Sequence, residues 1–170
     1  MIATRYISAR RWSNGVEVKG LGALLAKLNS MGGNVDTAIE KGTRSAAGFI
    51  RDAAKMNCTA DTGTLRASIH SQYQRDGSTH KGIVSTNCEY APYVEFGTGP
   101  TGNGTYPYPV PGLRYKADKW LGKIPDIGWR WVSGQVAQPY LYPALRDNKG
   151  EVLKRYEQAI TREIVKAAKK

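Results

Sequence analysis

The sequence predicts an α+β fold, with an antiparallel sheet packed by a long helix in the N-terminal half and by a C-terminal helix. Three observations carry this. Apolar residues recur at helical spacing from about residue 34 to 57, and again from 139 to near the end. Between them, residues 67–87 alternate with period two around a glycine-containing turn. The chain has 170 residues, 41% of them hydrophobic, enough for one domain with its own core. Residues 1–170 are therefore read as a single domain, interrupted by an irregular Pro/Gly/Trp-rich insertion at about 99–138.

The first twenty residues are mixed and basic, and "VEVKG" (16–20) reads as a short strand. "LGALLAKLNSM" (21–31) reads as a short helix with Leu21, Leu24, Leu25 and Leu28 on one face, ended by Gly32 and Gly33. The long helix follows, with Asn34 or Asp36 placed to cap its first N–H groups. Its expected apolar stripe is Val35, Ile39, Ala46, Phe49, Ile50, Ala53 and Met56. Gly42, Ala46, Ala47 and Gly48 are small enough to let another element approach closely. "TADTG" ends the helix: Asp61 and Thr62 suit backbone N–H groups, and Gly63 suits an unusual dihedral.

"ASIHSQYQR" and "KGIVSTN", joined by "DGSTH", predict a β-hairpin. "YAPYVEFG" (90–97) predicts a turn or short helix led by Pro92. The next forty residues are dense in glycine, proline and tyrosine and are expected to hold no regular element. Three of the four tryptophans, Trp120, Trp129 and Trp131, fall here beside Lys116, Lys119, Lys123 and Arg130. So long a loop in a compact domain is usually functional. Two readings stand: an exposed, adhesive contact surface, or a local mini-core of tryptophans. From Pro139 the pattern is helical again, with Leu145, Val152, Tyr156, Ile160 and Ile164 inward and cations at the C-terminal end.

The formal net charge is +11 and the pI about 9.7, a field that attracts DNA, RNA or an acidic protein surface. Arginines interrupt the N-terminal "MIATRYISARRW", so no apolar run of signal-peptide length forms. No run approaches the ~18 apolar residues of a membrane span. The expected setting is a cytoplasm. Cys58, Cys88, His70 and His80 lack the paired spacing of a zinc site, and partly buried free thiols are expected.

The chemical motifs are weak. "DTG" at 61–63 is the aspartic-protease triplet, but it follows a helix end where such a site requires an apolar strand. Gly97, Gly99 and Gly102 satisfy G-x-G-x-x-G, yet "NGTYPYPVPG" after them cannot open the helix that would meet a pyrophosphate. Glu95 has no partner acid at fixed spacing, and two scattered histidines make no triad. The residues disfavour catalysis, and no cofactor is expected. Glu95 is expected to accept hydrogen bonds or to pair with a basic residue, on its own chain or a neighbouring subunit. The basic residues are spread along the chain, which suits phosphate neutralisation without base reading. A free, non-specific nucleic-acid-binding protein is the alternative function.

Three ordered stretches carry a resemblance: "DTGTLRASI" (61–69), "YAPYVEFGT" (90–98) and "QPYLYPAL" (138–145). Together they resemble the tail-completion, or head–tail joining (neck), proteins of long-tailed bacteriophages and prophages. The residues that fit include Thr62, Gly63, Leu65 and Arg66, then Tyr93, Glu95, Phe96, Gly97 and Thr98, then Gln138, Pro139 and Leu141. The resemblance runs from about residue 16 to the C-terminus. It implies a structural, non-catalytic virion protein that forms a ring at the head-proximal end of the tail, with a hexamer as candidate stoichiometry. It implies head-completion or connector proteins and the tail terminator or tail tube as partners, DNA passing non-specifically through the lumen, and no membrane. It places the protein at the head–tail junction of the virion, and in the host cytoplasm during assembly. One departure stands out: about forty residues separate Thr98 from Gln138, where the family often has a short link. In this setting Tyr93, Val94 and Phe96 are expected to pack under the sheet, with Gly97 permitting a turn and Glu95 anchoring it.

Overall fold

The computed structural model describes residues 21–32, 34–58, 63–124 and 126–169. In chain order these form α1 (Leu21–Ser30), α2 (Val35–Asn57), α3 (Thr64–Ser68), β1 (His70–Asp76), β2 (Thr79–Ser85), α4 (Ala91–Phe96), α5 (Gly99–Gly102), β3 (Trp120–Ile124), β4 (Gly128–Val132), α6 (Leu141–Arg146) and α7 (Lys149–Ala167). The class is α+β, as the sequence predicts. Among the described residues the single expected sheet is instead two separate two-stranded antiparallel hairpins, β1–β2 and β3–β4. The "VEVKG" strand, Gly33, Asp61 and Thr62 lie outside the described residues.

The long helix α2 is the organising element. Asn34 sits in extended backbone just before it, and its side chain accepts from the Thr37 N–H at 2.9 Å. That bond satisfies one of the first-turn donors that a helix leaves unpaired. Asp36, the other capping candidate, is instead drawn to Arg75 (2.6 Å) and His80 (3.0 Å) on the hairpin. Asn34→Ala is expected to cost about 1 kcal/mol, read as a fall of a few degrees in thermal midpoint with the unfolding slope unchanged.

The buried face of α2 is built of small residues: Ala38, Gly42, Thr43, Ala46, Ala47 and Ala54, with Ile50 the only large one. This lets α7 pack close. A Cβ on Gly42 would lie 2.6 Å from Cδ1 of Tyr156, and the Tyr156 hydroxyl meets Thr43 Oγ1 at 2.9 Å. Lys41 and Glu163 bridge the same pair of helices at 2.5 Å. The β1–β2 hairpin also rests on α2, where a Cβ on Gly82 would come within 3.0 Å of Ala47 Cβ. Met56, assigned by the sequence to the buried stripe, is 79% exposed. It lies two residues beyond buried Ala54, and at 3.6 residues per turn that is about 200° round the helix.

The core divides into two clusters. Ala46, Ile50, Ala54, Cys58, Leu65, Ile69, Ala91, Tyr140, Ala144 and Val152 form the first. Leu28, Ala38 and Ile160, backed by Leu24, Leu25, Val35 and Ile164, form the second and seat α1 against α7. The hairpin β1–β2 runs in register from His70↔Ser85 to Asp76↔Thr79. Gly77, in the turn, has φ +58°. The first strand starts later than expected, because Thr64–Ser68 make a single helical turn that buries Leu65.

The insertion departs furthest from expectation. Trp120–Ile124 and Gly128–Val132 pair as a second hairpin, Trp120↔Val132 to Ile124↔Gly128. The reading of 99–138 as wholly irregular is therefore corrected. The alternation in "WLGKI" and "GWRWV" is a strand signal, obscured by the Pro/Gly-rich sequence around it.

Candidate functional site

The three sequence stretches converge on the first core cluster. Leu65 from the first, Ala91 and Val94 from the second, and Tyr140, Leu141 and Ala144 from the third all belong to it or pack against it. The first stretch closes the end of α2. Gly63 has φ +72°, supplying the unusual dihedral expected of it, and Arg66 Nε donates to the Lys55 carbonyl at 2.7 Å. That carbonyl lies in the last turn of the helix, where the dipole favours a cation.

The second and third stretches are laid side by side. Pro92 falls in the first turn of α4, where its missing N–H costs nothing. Gly97 then takes φ +77°, ψ 175°, a region essentially confined to glycine. Beyond it Thr98 pairs with Gln135: Thr98 N–H donates to the Gln135 carbonyl at 2.9 Å, and Gln135 N–H returns a bond at 3.1 Å. Gln138 N–H donates to the Val94 carbonyl at 2.8 Å. The side chain of Gln135 reaches the Tyr93 carbonyl at 2.9 Å.

Glu95 is the centre of this arrangement. It is 5% exposed. One carboxylate oxygen accepts from the backbone N–H groups of Tyr140 (2.8 Å) and Leu141 (2.9 Å). The other accepts from the Tyr142 N–H (3.1 Å) and the Tyr106 hydroxyl (3.3 Å). These amides open α6, whose own N-cap, Tyr140, makes no side-chain capping bond. An acid 45 residues upstream of Tyr140 thus does the work of a cap. The anion also sits at the positive end of the helical turn. Both oxygens are committed to donors of the same chain, so the carboxylate is an anchor. Of the roles open from sequence, hydrogen-bond acceptance is the one found, and the partners are backbone amides and a tyrosine.

Tyr106 and Tyr108, beside this anchor, were not among the residues expected to form a site. Phe96, Tyr106, Tyr108 and Tyr142 form a chain of rings with successive centroids 5.0, 5.3 and 4.4 Å apart. Arg146 lies over the Tyr108 ring at 4.6 Å. Burial pushes the Tyr106 hydroxyl well above the ordinary tyrosine range, and the nearby Glu95 charge and its hydrogen bond add to this. The Tyr140 hydroxyl is raised too, by burial first and by Glu95 second. Tyr115 donates to the Phe96 carbonyl at 2.8 Å. The "TYPYP" run could have suggested such a ladder, since alternate tyrosines can stack while prolines hold the backbone extended.

The expectation that Tyr93, Val94 and Phe96 lie under the sheet is corrected. Tyr93 is 55% exposed, Val94 packs on the core cluster and Phe96 on Tyr106. All belong to a helical turn, in which Val94 and Phe96, two residues apart, lie about 200° apart and so pack on different neighbours. Pro139 and Leu141 are half-buried, while Gln138 is exposed and contributes its backbone to the pairing.

Elsewhere the chemistry is sparse. Among the described residues no group of three or more His, Cys, Asp or Glu is disposed to hold a metal. Cys58 and Cys88 form no disulfide, and burial raises the Cys58 thiol above its ordinary range. A surface cavity of about 320 Å³ between α2 and α7 is lined by Lys41, Ser45, Arg155, Gln158, Arg162 and Glu163. Among the described residues no helix is long and apolar enough to cross a membrane. The family described as "Bacteriophage HK97-gp10, putative tail-component" matches residues 22–97. No curated protein and no solved structure matches the chain.

Proposed function

We propose, from the match of residues 22–97 to the HK97-gp10-like family of phage tail components, that this chain is a non-catalytic subunit of the phage neck. It assembles with its own copies into a closed ring at the head-proximal end of the tail, joins tail to head, and leaves a channel for DNA. The family match is the observation that carries this reading. The Glu95 anchor supports extending it along the chain, because it fastens the Gln138–Leu141 segment onto the matched part. A ring of identical subunits needs heterologous contacts that close by rotation. The +11 charge suits a lumen through which DNA slides, since non-specific phosphate contacts carry no sequence information. The partners in this reading are head-completion or connector proteins on one side and the tail terminator or tube on the other.

The genetic test is removal of this chain from the phage that encodes it. Filled heads and finished tails should then accumulate unjoined, and adding the purified protein should restore infectious particles. Normal yields of joined particles without it would overturn the proposal.

A further inference from the structure

The β3–β4 hairpin presents an apolar face that no described residue of its own chain covers. Its register places Leu121 opposite Trp131 and Lys123 opposite Trp129 on one face. Trp129 is 66% and Trp131 72% exposed, and Leu121 and Ile127 are exposed beside them. The reverse face is the anchored one. Trp120 and Val132 are half-buried there, and Gly99 lies so close that a Cβ on it would meet the Trp120 ring at 2.7 Å. Thr101 N–H ties the base of the arm to the Ser133 carbonyl at 3.0 Å. The tryptophans are thus held out on a fixed ribbon. Contiguous exposed apolar surface of this kind marks contact sites, and tryptophan is over-represented among the residues that dominate binding energy.

The charge of the arm says what covers it. The arm carries Arg114, Lys116, Lys119, Lys123 and Arg130 against Asp118 and Asp126. Lys123 stands on the tryptophan face opposite Trp129, while Arg130, opposite Gly122, and Lys116, over the Trp120 ring at 5.2 Å, belong to the reverse face. A second copy of this chain is a poor counterpart. Asp36, Glu40, Asp52, Asp76, Glu151 and Glu163 are each bound to a cation of their own chain, and Glu95 is buried. Glu89, Asp118, Asp126 and Glu157 are exposed, but each copy carries a net charge of +11, so two copies repel overall. Duplex DNA could pair with the cations, but its phosphate backbone cannot bury Leu121, Ile127 and two indoles. We infer that the Leu121/Trp129/Trp131 face docks into an apolar groove rimmed by Asp and Glu on a different protein. Complementary charge then steers the approach and sets the register, and the indoles supply the holding contacts.

This inference does not depend on the neck role. Its test is photo-cross-linking with the full chain carrying Trp129→benzoylphenylalanine, in cells making the particle. The cross-linked peptide is then sequenced by mass spectrometry. The expected product joins residue 129 to an Asp/Glu-rich segment of another protein. Its yield should fall at least about tenfold when Lys119→Glu and Lys123→Glu are added, since like charges then face each other. Trp131→Ser should cut the yield similarly while leaving the thermal midpoint and self-association of the purified chain unchanged. Cross-links to a copy of this chain, to DNA, to lipid or to a segment poor in acids would overturn the inference, as would no cross-link at all. An acidic protein partner found outside the virion would sustain the inference and overturn the neck reading.

Discussion

Glu95→Ala is expected to destabilise the protein by about 3–5 kcal/mol, because it leaves buried donors without an acceptor. The substitution strands the amides of Tyr140, Leu141 and Tyr142, and the Tyr106 hydroxyl loses its partner. It also removes an anion from the start of α6, where the dipole favours one. For a chain of this size each kcal/mol moves the melting temperature by roughly 2–4 °C, so a fall on the order of 10 °C is expected by calorimetry or circular dichroism. Glu95→Gln separates acceptor loss from volume loss. It keeps the shape and one carbonyl oxygen but turns the other oxygen into a donor facing a donor. Its melting temperature should fall between wild type and Glu95→Ala. A Glu95→Ala protein that melts within about 2 °C of wild type would show that these bonds do not hold the C-terminal third in place.

Gly97→Val is expected to abolish folding. The backbone there, φ +77° and ψ 175°, is one that residues with a Cβ avoid, at a cost of order 1–3 kcal/mol, and a β-branched residue avoids it most strongly. Space compounds the strain. A Cβ at Gly97 would lie 2.7 Å from the Ala137 amide nitrogen and 2.9 Å from the Gln135 carbonyl oxygen. These are backbone atoms of the segment that Thr98 pairs with, so relief requires opening that pairing. Gly104→Ala is the control. Its φ is +76°, but nothing lies within 4 Å of the added methyl, so it should pay only the conformational term, about 1–2 kcal/mol. Soluble expression and urea unfolding of both variants separate crowding from conformation. A Gly97→Val protein that unfolds at wild-type urea concentration would mean that the close approach of residues 97 and 137 is not required.

The parts legible in the sequence are those governed by local rules. Helix α2 was readable to within a residue at each end, because Asn34 caps it and apolar spacing runs along it. The glycine positions at 63 and 97 were readable because special dihedrals leave a one-residue signature. What Glu95 does was only half readable. An acid between Val94 and Phe96 announces itself, but its three backbone donors lie more than forty residues away, and no periodicity links them to it. The β3–β4 hairpin was hidden for a different reason. Its alternation turns tryptophans outward to solvent, the reverse of the usual inward apolar pattern, and glycine and proline around it signal loop. Met56 was misplaced because two residues of helix swing a side chain to the far side, so a stripe read loosely overshoots its end.

The special residues resolved here serve shape. Glycines set turns, a buried acid ties distant segments, and tyrosines fill the space between them. The proposed function requires such a fixed shape to dock with copies and partners. The most direct measurement is electron microscopy of the purified protein, alone and mixed with tails that lack it. Closed rings, or added density confined to the head-proximal end of the tail, are the predicted result. Particles that stay monomeric and leave those tails bare would contradict it.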